Sequence, residues 1–409
     1  MWRLGTCLLL AALAGLAGCN RGPRTGLYEA VSAQELAAVD LAYHWDLVVS
    51  LERGEHLEHI WHVDENVYGL TDRGRLMAFD ATSGLAKWSR DLGPANRRYF
   101  APTHCDHVYL PATLGPGTVV TPPKDASMHQ VDVVVVSSTI DAQILDRKDG
   151  HLLHRIDYTR SDFAASGPAA CDSLRLYVGT VKGSFYALDL RTGLVLWSQD
   201  TGGQITAEPR LLGNILLVAS RNGKMIATGV GSNTPQRLWP KVGAKPQATG
   251  DFSADFVAEE RGIFAGSEDY AVYAFEPQSG QTLWRYPTGG ALSRPVQVGA
   301  TNVYAAADNG ILYALALEPG RPQEKWTLPA GQLVLAELEG KAYIVDDHHN
   351  LIVVDAASGR LDSRLALAGL TLFVPNTKTP TIYAGNRDGL LVRIDPKPRG
   401  FLRTEKMPK

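Results

Sequence analysis

A short phrase recurs along this chain and constrains its fold more than any other feature. The segment GRLMAFDATSGLAKW, from Gly74 to Trp88, returns as GSFYALDLRTGLVLW from Gly183 to Trp197, with acid, glycine and tryptophan in the same register. Most repeats are about 40 residues apart, which is the period of a four-stranded propeller blade. The position of the acid occurs eight times, and two of the units have glycine or alanine there. The eight residues are Asp80, Asp146, Asp189, Gly229, Glu276, Ala316, Asp355 and Asp395.

Each phrase combines a strand with a tight turn. Apolar residues alternate with others over short runs, such as LYAL from Leu312 to Leu315, and this pattern predicts strands. An Asp carboxylate accepts hydrogen bonds from backbone N–H groups further along a turn, and Gly tolerates the positive φ that closes it. We therefore expect Asp80, Asp189, Glu276 and Asp355 to form turns rather than a catalytic site.

A tryptophan follows the turn in most of the phrases. Five units carry it, at Trp88, Trp197, Trp239, Trp284 and Trp326. His154 takes this place in the second unit and Ser363 in the seventh. A large ring at a fixed place in successive sheets predicts packing between neighbouring blades, where each aromatic side chain buries roughly 150–250 Å². We interpret these tryptophans as structural residues and not as a ligand cage.

The repeats predict an all-β fold, an eight-bladed β-propeller of four-stranded antiparallel blades over residues 43–400. Trp45 lies 43 residues before Trp88, so it stands at the tryptophan position of a repeat unit. The earlier strands of that unit do not precede it in the sequence. We expect an N-terminal strand to complete the C-terminal blade, because ring closure removes exposed sheet edges. Residues 401–409 form a short tail, in which Phe401 to Glu405 is the alternative closing strand.

The N-terminus has the features of a bacterial lipoprotein signal. Residues 1–18 contain Arg3, an apolar run from Leu4 to Leu16, and small residues before Cys19. The apolar run is too short for a spanning helix, which needs about 20 residues. The segment LAGC resembles a lipobox, which implies lipid attachment at Cys19. In that class Asp after the cysteine signals inner-membrane retention, so Asn20 favours the outer membrane.

Residues 19–42 are expected to tether the propeller to the lipid. Ser32-Ala-Gln-Glu35 matches a capping box and predicts one short helix. The formal net charge of the whole chain is -3, and nothing basic enough for nucleic-acid binding is present. Membrane contact is therefore expected through the lipid anchor only.

Two cysteines remain after Cys7 in the signal and the lipidated Cys19 are set aside. Cys105 and Cys171 both lie in the phrase Pro-x-x-Cys-Asp, so they occupy equivalent positions in adjacent blades. An oxidising compartment permits a disulfide, but a bridge needs Cα atoms within roughly 7 Å. We expect equivalent points of neighbouring blades to lie further apart, which favours two buried, unbridged cysteines.

Two clusters of polar residues superficially suggest chemistry. Asp346-Asp347-His348-His349 resembles a metal site and lies where a turn enters the seventh phrase. Adjacent residues on a strand face opposite ways and do not readily converge on one ion, so we interpret this cluster as a solvated turn. The run from His104 to His107 places a thiol between two imidazoles, although catalysis needs convergence in space. We therefore assign no catalytic, cofactor-binding or metal-binding residue and expect no cofactor.

The second unit contains an insertion of roughly two dozen residues relative to the common period. It runs from Pro111 to Gln130 and is rich in proline and glycine, which argues against a core element. Long loops on rigid scaffolds often carry binding sites, so the insertion is the first candidate surface for a partner. A tolerated surface excursion is the alternative.

The phrase resembles the repeat of pyrroloquinoline-quinone-type propellers, most clearly from Gly183 to Trp197 and from Tyr270 to Trp284. Within that superfamily, a lipidated chain made of one eight-bladed ring is similar to the outer-membrane barrel-assembly lipoproteins. The resemblance implies a non-enzymatic, periplasm-facing scaffold that binds the barrel-assembly machinery through its loops.

Quinone-dependent dehydrogenases share the repeat and provide the alternative, an oxidoreductase or small-ligand binder. Their sites typically contain adjacent cysteines and a calcium ion held by acidic and amide side chains, and this chain has no Cys-Cys pair. A sensor or adhesion module is a third possibility.

Overall fold

The computed structural model describes residues 31–111, 128–231, 234–317 and 323–397. The described residues form eight four-stranded antiparallel sheets that follow one another around a ring, as the eight phrases predict. The signal segment 1–18, Cys19, most of the insertion in the second unit, and the tail 401–409 lie outside the described residues. Among the described residues, no helix combines the length and the apolar character that crossing a membrane requires.

The first described elements are helix α1 (Ala33–Ala38) and strand β1 (Leu41–Val48). Blade 1 contains β2 (Leu57–Val63), β3 (Asn66–Thr71), β4 (Arg75–Asp80) and β5 (Ala86–Asp91). Blade 2 contains β6 (Thr103–Pro111), β7 (Met128–Ser137), β8 (Asp141–Asp146) and β9 (Leu152–Asp157), followed by a 3-10 turn (Tyr158–Ser161). Blade 3 contains β10 (Ala170–Cys171), β11 (Arg175–Gly179), β12 (Ser184–Asp189) and β13 (Val195–Asp200). Blade 4 contains β14 (Arg210–Leu212), β15 (Ile215–Ala219), β16 (Met225–Gly229) and β17 (Gln236–Trp239).

The second half of the ring repeats the same arrangement. Blade 5 contains β18 (Val257–Glu259), β19 (Gly262–Ser267), β20 (Ala271–Phe275) and β21 (Thr282–Pro287). Blade 6 contains β22 (Gln297–Val298), β23 (Asn302–Ala307), β24 (Ile311–Ala316) and β25 (Glu324–Pro329). Blade 7 contains β26 (Gly331–Leu338), β27 (Lys341–Asp346), β28 (Asn350–Asp355) and β29 (Leu361–Ala366). Blade 8 contains β30 (Leu372–Phe373), β31 (Ile382–Gly385) and β32 (Leu390–Pro396), with β1 as its fourth strand.

The ring is closed by the N-terminal strand, which confirms the prediction from Trp45. Strand β1 pairs antiparallel with β32, with Leu41 opposite Pro396 and Val48 opposite Leu390. The strand begins two residues before the boundary expected at residue 43. Because β1 is the outer strand of blade 8, it covers the edge of β32 and joins the two ends of the described chain.

The core lies between the faces of neighbouring blades. All six residues of β3 and of β19 are buried, because the middle strands are covered on both sides. Outer strands such as β5 bury mainly the ring at the tryptophan position and expose most of the rest. One cluster joins Tyr68 and Trp88 of blade 1 to Val134 of blade 2, so each blade completes the core of the next.

The expected short helix is present and packs on the ring. Ser32 caps α1, its hydroxyl accepting from the Glu35 N–H while the Glu35 carboxylate accepts from the Ser32 N–H. Leu36 is fully buried in the cluster that joins blades 7 and 8. The described chain therefore begins beside blades 7 and 8.

Successive strands of a blade run in opposite directions, so the loops alternate between two faces of the ring. We call the turn face the side with the turns between first and second strands and between third and fourth strands. The acid turns such as 80–84 lie there, as do the ends of the insertion at residues 111 and 128. The connection face holds the turns between second and third strands and the connections from blade to blade.

Candidate functional site

The repeat tryptophans contact the turn of the following blade. The Trp88 indole N–H of blade 1 donates to the Arg147 carbonyl oxygen of blade 2 at 3.1 Å. The ring lies over Gly150, where an added Cβ would be 2.5 Å from it. Four interfaces in the described chain share this arrangement: Trp45 with Ala81, Trp88 with Arg147, Trp239 with Pro277, and Trp326 with Ala356. We call it the tryptophan contact, and it joins each of these blades to the next.

The other two repeat tryptophans differ in their polar contacts. Trp197 is 8% exposed, yet its indole N–H has no hydrogen-bond partner within the described chain. The turn that would receive it, after Gly229 in blade 4, lacks the acid of the phrase and falls partly in residues 232–233, outside the described residues. Trp284 is buried, and the turn opposite it in blade 6 falls partly in residues 318–322, outside the described residues.

The repeated acids form hydrogen bonds with their own turns. The Asp80 carboxylate accepts from the backbone N–H of Ser83 at 2.8 Å. The Ser83 N–H and hydroxyl hold the pKa of Asp80 below its ordinary value. Gly84 closes this turn with φ +71°. Equivalent backbone N–H bonds end on Asp189 from Thr192, on Glu276 from Ser279, and on Asp355 from Ser358.

Of the two residues that replace the tryptophan, His154 is buried and Ser363 is partly buried. His154 is 1% exposed, and neither ring nitrogen has a hydrogen-bond partner among the residues described. Burial lowers the pKa of His154, although the charge of Asp189 opposes the shift. The hydroxyl of Ser363 is likewise unpartnered within the described ranges. The interfaces after blades 2 and 7 therefore lack the tryptophan contact.

The two remaining cysteines form a disulfide, and our expectation of unbridged thiols is wrong. Cys105 of β6 is bonded to Cys171 of β10, with Cα atoms 5.8 Å apart. The distance is short because first strands lie nearest the axis, where neighbouring blades converge. Cys105 is therefore not a free thiol, which removes the nucleophile from the run between His104 and His107.

The imidazole of His104 joins blade 2 to blade 1. Its Nε2 lies 2.8 Å from the Tyr68 hydroxyl, and its Nδ1 lies 2.8 Å from the Asp64 carboxylate. The side chain is 4% exposed. Burial lowers the pKa of His104, and the hydrogen bond to Asp64 opposes this shift. These contacts make His104 a packing residue of the interface between blades 1 and 2.

The acidic cluster in blade 7 converges more closely than adjacent strand positions would. Donor atoms of Asp346, Asp347 and His348 lie within 4.8 Å of one another. The expectation of divergence is wrong, because Asp346 ends β27 while Asp347 and His348 lie in the turn to β28, as the turn interpretation expects. Asp346 is already engaged, since it accepts from Arg364 at 2.8 Å and from the backbone of Asn350 at 2.7 Å. The geometry is that of a turn with a satisfied carboxylate.

A cavity of about 590 Å³ that is lined mostly by charged residues opens on the turn face between blades 1 and 2. The cavity adjoins the described end of the insertion, and both acidic and basic side chains line it. Its lining residues are Glu65, Lys87, Gln130, Val131, Asp132, Asp146, Arg147 and Lys148. Arg147 pairs there with Glu65 at 3.2 Å and with Asp106 at 2.7 Å. The cation of Arg147 is thus paired with protein carboxylates.

The longest described connection between blades runs over residues 240–256, from β17 to β18, on the connection face. It has seventeen residues, against twelve or fewer at the other junctions of the described chain. Buried side chains fix it, since Phe252 is 0% and Phe256 1% exposed. The Gln247 amide also donates to the Met225 carbonyl at 2.8 Å. We call this segment the long connection.

The long connection presents an exposed, apolar and basic segment. Residues 241–246, with the sequence KVGAKP, are all exposed, and Val242 reaches 84%. Tyr270, in the adjacent turn of blade 5, is 56% exposed and has φ +66°. Exposed apolar side chains on a rigid support are typical of protein–protein contact sites.

Charged groups surround this segment. Arg221 of blade 4 pairs with Asp251 at 3.0 Å and with Glu268 at 3.6 Å. At the end of the connection, Asp255 accepts from the Glu208 backbone N–H at 2.7 Å. Desolvation raises the pKa of the partly buried Glu208 to about 7, with Arg210 opposing and Asp255 reinforcing the shift.

The sequence contains only an indirect signal for this surface. The interval from Gly229 to Glu276 is 47 residues, seven more than the common period, and the excess corresponds to the long connection. Val242 belongs to no motif, and Tyr270 stands where the phrases from Gly74 and Gly183 begin with glycine. Their exposure depends on how the blades assemble, which the phrase does not encode.

Comparison with known proteins places the chain in a family. A family model described as "Outer membrane protein assembly factor BamB" matches residues 137–362. The protein of that name from Shewanella oneidensis is 29% identical over 234 residues, covering 54% of this chain and 58% of the relative. Its namesake from Alteromonas naphthalenivorans is 26% identical over 306 residues, covering 70% and 69%.

Solved structures agree with the fold. The crystal structure of BamB from Moraxella catarrhalis superposes with a TM-score of 0.62 at 16% identity, covering 87% of this chain and 97% of that one. At this identity the likeness concerns the fold alone. The match to the family model spans more than half of the chain, and it includes blades 3 to 6 entirely. The chain belongs to the family of the outer membrane protein assembly factor BamB.

Proposed function

We propose that this chain is a non-enzymatic, lipid-anchored scaffold that faces the periplasm and takes part in the assembly of outer-membrane β-barrel proteins. The observation that carries the proposal is the family match over residues 137–362. The exposed surface described above supports it, because its residues suit contact with a protein. The repeated acids are occupied in turns, as the Ser83 N–H bond to Asp80 illustrates.

The anchor is Cys19, and its position limits where the ring can lie. Eleven residues separate Cys19 from Val31, the first described residue. At a maximum of roughly 3.5 Å per residue, they span about 40 Å. Since Val31 and Leu36 pack in the cluster of blades 7 and 8, that side of the ring is held near the membrane.

Lipid attachment at Cys19 predicts that removal of this thiol releases the protein from the membrane. In a Cys19→Ser variant the acceptor thiol is absent, so the protein should leave the membrane fraction while its propeller stays folded. Fractionation and circular dichroism of the same preparation check this. A variant that stays in outer membranes to the same extent as the parent protein would contradict attachment at Cys19.

We assign partner binding to the long connection and the neighbouring turn of blade 5. In an eight-bladed ring, blades 4 and 5 lie opposite blades 8 and 1, so this surface points away from the side that holds α1. Val242 supplies exposed apolar area, and Lys241 and Lys245 supply positive charge beside it. A complementary partner surface carries an apolar pocket with acidic residues at its edge.

Affinity capture from membranes tests this assignment. Val242→Glu introduces a charge at an exposed site, so it should reduce recovery of barrel-assembly components by about ten-fold or more without loss of folding. Leu85→Glu is the matched control, because Leu85 is 70% exposed but lies on the turn face. Equal recovery with both variants would exclude this surface, and failure of the parent protein to recover any such component would exclude the assembly role.

A further inference from the structure

The interface between blades 2 and 3 combines two departures from the rest of the ring. On its outer side, His154 stands where Trp88 forms the tryptophan contact one blade earlier. The turn of blade 3 still has its glycine, but the nearest atom to an added Cβ on Gly193 is a methyl group of Ile156, at 3.1 Å. His154 thus neither covers this turn nor donates a hydrogen bond to it.

The Cys105–Cys171 disulfide crosses the same interface at its inner side. It joins β6, the first strand of blade 2, to β10, the first strand of blade 3. Strand β10 has only two residues, so the ladder that holds this edge is short. The Thr103 hydroxyl donates to the Ala169 carbonyl at 2.6 Å beside the disulfide.

The coincidence has a physical meaning. Blades of a ring are held mainly by contacts with their neighbours, so the weakest interface is where the ring opens first. A buried imidazole without partners destabilises an interface, because its polar atoms lose water and gain nothing. A covalent bond across the same interface limits how far the two blades can separate.

We propose that the Cys105–Cys171 disulfide is an interblade cross-link that replaces the missing tryptophan contact between blades 2 and 3, so that this interface opens when the bond is reduced. The proposal does not depend on the proposed assembly function. If the disulfide has this role, the ring stays closed only in an oxidising compartment, and the interface between blades 2 and 3 is the one that opens on reduction.

The chemistry needs a two-electron partner. Forming the S–S bond removes two protons and two electrons from the thiols of Cys105 and Cys171. A dithiol–disulfide oxidant accepts them through a mixed disulfide and leaves as the dithiol. Reduction by dithiothreitol reverses the balance, since the reagent gives up two electrons and two protons and becomes a cyclic disulfide.

Hydrogen–deuterium exchange of the full chain, oxidised and reduced with dithiothreitol, tests the proposal. We expect reduction to raise exchange by about ten-fold or more in β6, β9, β10 and β13, and to leave blades 5 to 7 unchanged. The double variant Cys105→Ser and Cys171→Ser, measured without reductant, should show the same pattern. That variant separates loss of the bond from other effects of the reagent.

A matched variant moves the weakness to another interface. Trp88→His gives the interface between blades 1 and 2 the residue that blade 2 has, and the described structure shows no disulfide there. This variant should exchange faster in β5 and β9, which are equivalent to β9 and β13, in both redox states. Conversely, His154→Trp, if it folds, should show less effect of reduction than the parent protein.

Two outcomes would overturn the proposal. Unchanged exchange on reduction of the parent protein would show that the disulfide does not hold this interface. Uniform acceleration over all eight blades would show general stabilisation in place of a local cross-link. Both outcomes are measured on the parent protein and the double serine variant, so the test holds even if His154→Trp does not fold.

Discussion

The two interfaces on either side of blade 2 use the same phrase positions in different ways. Towards blade 1, Trp88 covers Gly150 and donates to the Arg147 carbonyl. Towards blade 3, His154 is buried without partners, and a disulfide near the axis joins the two blades. The first interface is held at its outer strand by packing and a hydrogen bond, whereas the second is held at its inner strand by a covalent bond.

This difference shows that the repeat specifies a position more strictly than a contact. Both phrases keep the acid, the glycine and the strand ends in register, so the blade forms in either case. The residue at the tryptophan position then determines how firmly neighbouring blades adhere. Blades with the same fold can therefore form interfaces of unequal stability. Substitutions at Trp88, at His154 and at the turn glycines separate the contributions of packing, hydrogen bonding and charge.

Truncation of the two side chains should give the largest contrast. Trp88→Ala removes a buried ring and leaves a cavity against blade 2, which costs about 3–5 kcal/mol of unfolding free energy. His154→Ala removes a smaller side chain together with two unsatisfied polar atoms, so it should cost less than half as much. Urea unfolding of both variants measures this. Equal losses would show that His154 contributes as much as the tryptophan contact.

The turn glycines provide a second pair with matched backbone geometry. Gly150 has φ +72° and Gly193 has φ +71°, so alanine strains both turns alike, by about 1 kcal/mol. An added Cβ on Gly150 would lie 2.5 Å from the Trp88 ring, against 3.1 Å from Ile156 at Gly193. Gly150→Ala should therefore destabilise by about 1–2 kcal/mol more than Gly193→Ala. Indistinguishable melting temperatures would show that the ring moves aside freely.

The fold was predictable because its determinants are local. The acid positions Asp80, Asp146 and Asp189 end the third strands of blades 1 to 3, as their spacing predicts. Strand alternation and turn chemistry act over a few residues, so one sequence is enough to locate them. The closing strand was predictable because Trp45 stands at the tryptophan position of a unit that lacks its other strands. In a closed ring, such a strand completes the blade formed by the other end of the chain.

The disulfide and the exposed surface were not predictable in this way. The distance between Cys105 and Cys171 depends on how first strands converge near the axis, which the repeat period does not contain. The exposure of Val242 depends on how the long connection packs around Phe252. Both are properties of neighbouring blades in contact, and a phrase describes one blade at a time.

The buried histidine predicts a dependence on pH that the Trp88 interface does not share. Burial lowers the pKa of His154 in the folded chain, so the unfolded chain binds its proton first. Stability is then full above the unfolded pKa of about 6.5, and it declines as the pH falls below that value, by up to about 2 kcal/mol at pH 5. His154→Phe should remove this part of the pH dependence in urea unfolding at about pH 7.5 and about pH 5. An unchanged slope would assign acid sensitivity to other groups.

The smallest contrast isolates the indole hydrogen bond from the ring. Trp88→Phe and Trp197→Phe remove the same atoms from rings of similar burial, 9% and 8% exposed. Only the first loses a bond, because Trp88 donates to Arg147 whereas the Trp197 N–H has no partner among the described residues. Trp88→Phe removes the donor to a partly buried carbonyl, while Trp197→Phe removes a buried unpaired donor, so the first should be about 1 kcal/mol more destabilising. If both variants lose equal unfolding free energy, the tryptophan contact works through packing alone, and the missing hydrogen bond at His154 would not distinguish its interface from the others.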